Sequence, residues 1–111
     1  MATPAASRNA RMPVLFVPHG AGPCFFMDWS PADTWTRMGA FLKGIAHTLP
    51  ATPRALVLVS GHWLAPAFST TGHARPGLIY DYNGFPPHTY ELTYPAPGEP
   101  ELAARIVQQL Q

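Results

Sequence analysis

Cysteine is almost missing from this chain: its 111 residues hold one, Cys24. No internal disulfide is possible, which excludes a bridge-stapled scaffold and fits a reducing, cytoplasmic setting. Charge is scarce as well. Asp, Glu, Lys and Arg make up 12% of the residues, and 7 basic side chains against 6 acidic ones leave a net charge of +1. A nucleic-acid surface needs clustered Lys and Arg, so none is expected. No apolar run approaches the roughly 20 residues that cross a bilayer, so no membrane span is expected either. Residues Met1 to Arg11 lack the apolar centre of a secretory signal and read as the start of a disordered leader, residues 1–12. Repeats and low-complexity tracts are absent, and nothing in the pattern specifies an oligomeric state.

What the chain does have is apolar content and proline. The hydrophobic fraction is 47%, and 14 prolines fall mostly in connections. Residues 13–111 are enough for one small domain, near the low end for an α/β fold. Val14-Leu15-Phe16-Val17 reads as a first strand, followed by Pro18 and His19-Gly20. Ala55-Leu56-Val57-Leu58-Val59 reads as a second, followed by Ser60-Gly61-His62-Trp63. Continuous apolar runs of this length suit strands buried on both faces of a parallel sheet. Between them, Ser30-Pro31-Ala32-Asp33 has the makings of a helix start, with Ser30 to cap and Pro31 in the first turn. Trp35, Met38, Phe41, Leu42, Ile45 and Leu49 then recur mostly at spacings of three and four, which predicts a helix to about Thr48. Strand, helix, strand is the unit of a right-handed parallel crossover. The expected fold is therefore α/β, a mainly parallel sheet flanked by helices.

Further along, Ala67 to Thr71 is a candidate third strand and Leu78-Ile79-Tyr80 a short extended piece. Asp81 to Gly98 is broken by Pro86, Pro87, Pro95 and Pro97 but carries Tyr82, Phe85, Tyr90 and Tyr94. A long loop so rich in aromatics reads as ordered and functional. Pro100 opens a last helix with Leu102, Ile106, Val107 and Leu110 on one side. A doubly wound sheet would continue with another strand, so the fold is expected to be cut short at this point.

In open α/β sheets ligands bind beyond the carboxyl ends of the strands, which is where His19 and His62 fall. Their separation is too long for a local zinc-finger pair and suits metal ligands brought together by the fold. Two histidines with a third group, leaving open positions, is the ligand set of iron(II) oxygenases, but the third group is not evident. His47 near a helix C-terminus, His73 in a polar turn and His88 after two prolines read as structural or exposed. Cys24 reads as a small apolar residue. Asp81 either orients a ligand histidine or ties the loop backbone. Ser60 lacks the glycine pattern of a nucleophile elbow, which argues against serine hydrolysis.

Three segments resemble the DODA-type extradiol ring-opening dioxygenases of the class III, LigB-like superfamily: VPHGAGP at 17–23, VLVSGHW at 57–63 and YDYNGFPPHTYELTYPAPG at 80–98. The likeness runs from about Pro13 to the C-terminus. It implies that His19 and His62 are metal ligands, that the metal is iron(II), with zinc(II) able to occupy the same site, and that the substrates are a small aromatic diol and O2. The implied reaction inserts both oxygen atoms and cleaves the catechol ring beside its two hydroxyls. In the resembled enzymes a further ligand histidine and a histidine near the substrate come from a later half, expected beyond Gln111. On that reading residues 1–111 carry half a site and do not open catechol rings at a useful rate alone. A non-catalytic metal-binding or interaction module on the same scaffold, and a metal-dependent hydrolase, are the competing readings.

Overall fold

The computed structural model of the protein describes residues 11–111. The expected leader, residues 1–12, lies outside the described residues except for Arg11 and Met12, both exposed. The chain divides into two compact units, the first ending at Leu56 and the second spanning Val57–Gln111. The division falls inside the second apolar run.

In the first unit the glycine-rich stretch after His19 closes into a 3-10 turn at Cys24–Phe26, where Cys24 N–H donates to the Ala21 carbonyl (3.0 Å) and Phe26 N–H to that of Pro23 (2.9 Å). Gly20 has φ +76°, and a β-carbon there would stand 2.8 Å from Cys24 Sγ and 3.1 Å from the Trp35 ring. The close fit of turn to indole is what requires glycine at this position. Phe25 and Trp29 both meet Trp35 edge-on, with ring centroids 6.5 and 5.4 Å away, a favoured aromatic geometry. These bulky residues thus form a small aromatic cluster about Trp35, beside the turn whose Cys24 is 3% exposed.

Helix α1 spans Thr36–Thr48. It begins later than the Ser-Pro signal predicts, and Ser30 does not cap it. The reason is local: Thr34 N–H donates to the Pro31 carbonyl at 3.2 Å, Thr34 Oγ1 to the same oxygen at 2.6 Å, and Thr36 N–H to Asp33 at 3.1 Å. Residues 31–36 are taken up by successive tight turns, and Trp35 becomes the N-cap. Met38, Leu42, Ile45 and Leu49 form a half-buried stripe, while Phe41 is exposed. The helix stops where Leu49 turns extended (φ −79°, ψ 143°), as the residue before a proline is pushed to do.

In the second unit a 3-10 turn at Pro87–Tyr90 sits inside the aromatic loop, and helix α2 spans Pro100–Gln109. Pro100 occupies the first turn of α2, where its missing N–H has no helical partner to lose, and Glu101 favours the positive end of the dipole. Ala103 is its buried residue, with Leu102 and Ile106 half-buried beside it. Gly98 donates its N–H to the Ala74 carbonyl at 2.9 Å, and a β-carbon there would run into the His73 carbonyl oxygen.

Among the described residues there is no strand. The runs at 14–17, 55–59 and 67–71 adopt no ladder, and Val14, Phe16 and Val59 are 101%, 103% and 92% exposed. The difference from the expected strands has a physical reason. A helix closes its hydrogen bonds within its own segment, whereas a strand exists only against a neighbour about 4.8 Å away. Parallel pairing also requires closure of a long crossover before any bond forms.

Candidate functional site

His19 is exposed and follows the first apolar run through Pro18; its carbonyl faces the Sγ of Cys24 at 4.0 Å. It belongs to the first unit. His62 belongs to the second. It sits in the turn at Gly61–His62, where its backbone N–H donates to Ser60 Oγ at 3.2 Å. Serine favours such turns because its hydroxyl can bond the backbone two residues on. The role of Ser60 is thus to hold the turn that carries the histidine.

The imidazole of His62 lies against the carboxylate of Asp81, Nδ1 to Oδ2 3.4 Å, with side-chain exposures of 65% and 42%. Asp81 stands between two tyrosines whose hydroxyls are tied to backbone carbonyls. Tyr80 on one side donates its hydroxyl to the Leu92 carbonyl, and Tyr82 on the other donates to that of Thr89. Tyr90 donates its hydroxyl to the Tyr82 carbonyl at 3.3 Å. The rings pack as well: Tyr82 lies 6.2, 5.4 and 5.1 Å from Tyr80, Phe85 and Tyr90. Beneath them Thr89 is fully buried (0% exposed), its hydroxyl bonded to the Pro86 carbonyl at 2.6 Å.

Of the two readings of Asp81, the structure places its carboxylate on the histidine. His47 lies in the last turn of α1 and His88 in the 3-10 turn, exposed. His73 lines an open groove of about 430 Å³ with Trp63, Thr70 and Ile79. The three tyrosines that fix Asp81 escape a sequence reading, which registers aromatic content but not which carbonyl each hydroxyl meets. Among the described residues no three of His, Cys, Asp and Glu are grouped to hold a metal ion. Metal-binding histidines usually give their second ring nitrogen to a carboxylate, and Asp81 and His62 have that relation, so His62 fits the donor expected of it.

Residues 13–111 match the family described as the catalytic LigB subunit of aromatic ring-opening dioxygenase. The chain is 38% identical over 109 residues to the dioxygenase tasH of Hapsidospora irregularis, covering 90% of this chain and 32% of that protein. It is 38% identical over 102 residues to 4,5-DOPA dioxygenase extradiol of Escherichia coli (strain K12), covering 92% and 35%. To the 4,5-DOPA dioxygenase extradiol of Beta vulgaris it is 43% identical over 96 residues, covering 83% and 32%. The chain thus spans about a third of the length of these relatives. No solved structure matches it. Family membership implies an α/β fold, the class expected from the alternation of apolar runs and helices. With a match that begins at Pro13 and runs to the last residue, the chain belongs to the LigB family of aromatic ring-opening dioxygenase catalytic subunits.

Proposed function

We propose that this chain forms part of the active site of an extradiol ring-opening dioxygenase that takes a catechol-type, DOPA-like substrate and O2, with non-haem iron(II) held by His19 and His62. Zinc(II) suits the same nitrogen donors. The observation that carries the reading is the family match across residues 13–111, which includes both histidines and the loop that bears Asp81. The printed names of the relatives supply the substrate class. They favour ring opening over a hydrolase or a non-catalytic module. Iron(II), when bound, supplies a template on which diol and O2 meet and a charge that stabilises the reaction.

The chain's own residues have separable tasks. His62 offers one imidazole nitrogen while Asp81 holds the other side of the ring. His19 is delivered to the end of its apolar run by the Pro18 and Gly20 that flank it. Residues 14–17 and 55–59 are proposed to pair in a parallel sheet of the complete fold, which would bury their apolar side chains and bring both histidines to one edge. A third ligand and a proton-transfer histidine are proposed to come from outside residues 11–111. A cytoplasmic location is proposed from the single cysteine; no helix among the described residues is long and apolar enough to cross a membrane.

The test uses the full protein loaded with iron(II) under anaerobic conditions, followed by DOPA and then oxygen. The expected result is oxygen uptake with a yellow ring-opened product, and loss of both on substitution His62→Ala or His19→Ala. Turnover that survives both substitutions would overturn the assignment of the ligands.

A further inference from the structure

We infer that Asp81 is a positioning residue: its carboxylate accepts a hydrogen bond from the Nδ1–H of His62 and so selects the tautomer that presents Nε2 to a metal. The last clause rests on the ligand role proposed above for His62; the tautomer does not.

Two independently anchored pieces of chain meet at this point. On one side Ser60 Oγ takes the His62 backbone N–H at 3.2 Å and sets the turn. On the other, Asp81 lies between two tyrosines whose hydroxyls are tied to the carbonyls of Leu92 and Thr89. With both backbones held, the 3.4 Å approach of Nδ1 to Oδ2 follows from the loop architecture and needs no search by two long flexible side chains. The distance is a few tenths of an ångström beyond an ordinary N–H···O bond, and bonds of this kind shorten when a site is loaded. The pair is too exposed to matter much for folding, since exposed ion pairs contribute little. Its effect lies in which ring nitrogen carries the proton. In a neutral imidazole one nitrogen donates and the other accepts, and the hydrogen bond made by the first decides which one can bind a metal.

The experiment reads the tautomer first and the metal second. The full protein, metal-free and labelled with 15N-histidine, is examined by NMR above the ordinary imidazole titration range, with the His62 signals identified by their loss in His62→Ala. The expected result is a predominantly Nδ1–H ring in the native protein and a redistribution toward Nε2–H in Asp81→Ala. Asp81→Asn, whose amide oxygen still accepts a hydrogen bond, should retain the native tautomer. In parallel, zinc(II) alone is titrated into each protein; Asp81→Ala is expected to bind about 10- to 100-fold more weakly, the usual effect of removing a partner of a ligand histidine. An unchanged tautomer in Asp81→Ala overturns the proposal. A changed tautomer with unchanged zinc affinity overturns its metal clause. A native protein that shows the tautomer effect but binds no zinc(II) supports the Asp81–His62 pairing and overturns the metal reading of the site.

Discussion

Gly20 shows how a single residue can be held to one identity by two separate constraints. Its φ of +76° is a conformation that costs a β-carbon roughly 1–2 kcal/mol. The space a methyl would need is already occupied by Cys24 Sγ at 2.8 Å and the Trp35 ring at 3.1 Å. Gly20→Ala is therefore expected to destabilise the first unit by about 2–4 kcal/mol, adding backbone strain to the usual penalty of overpacking. Urea unfolding followed by tryptophan fluorescence would measure it, since Trp35 and Trp29 sit in the affected cluster. The histidine beside this glycine was legible in the sequence because it ends an apolar run. The tight contact behind it was not, because Trp35 approaches from a different turn of chain.

Helix α1 carries the opposite case. Gly44 lies within Thr36–Thr48, and a β-carbon built on it meets nothing within 4 Å. The glycine therefore contributes flexibility to the unfolded chain and no packing to the folded one. Gly44→Ala is expected to stabilise the protein by about 0.5–1 kcal/mol, with a matching rise in the urea midpoint and no change in the slope. The existence and end of α1 could be read from the three-and-four spacing of Met38, Leu42, Ile45 and Leu49 and from Pro50. Its beginning could not. Ser30, Pro31 and Asp33 are as well suited to consecutive turns as to a helix start, and the turns win because Thr34 closes one of them with both its amide and its hydroxyl.

At the scale of the molecule, the main feature is apolar chain on the surface. Leu56, Val57, Leu58 and Val59 are 77%, 64%, 82% and 92% exposed, and Val14 and Phe16 are fully so. Contiguous patches of this kind mark surfaces made to be covered. A polypeptide of residues 1–111 is expected to bind a hydrophobic dye and to associate as concentration rises. Light scattering and dye fluorescence across a dilution series check this. A sharp, concentration-independent unfolding transition of a monomer above about 65 °C, the upper end for ordinary mesophile domains, would contradict it.

The amino-acid sequence by itself determined the family, through the motifs around His19, His62 and Asp81, together with both helices and the aromatic, proline-broken loop. Each of these is written within a few neighbouring residues: a periodic stripe, a φ restricted by proline, a short motif. Only the tertiary structure decided that Asp81 faces His62, that Tyr80, Tyr82 and Tyr90 hold it there, and that Trp35 gathers Phe25 and Trp29 around the turn at Cys24. It also decided that apolar runs with the composition of strands form no ladder among the described residues. These outcomes depend on contacts between segments distant in sequence, where loop closure must precede any gain from pairing and where residue type alone does not name the partner.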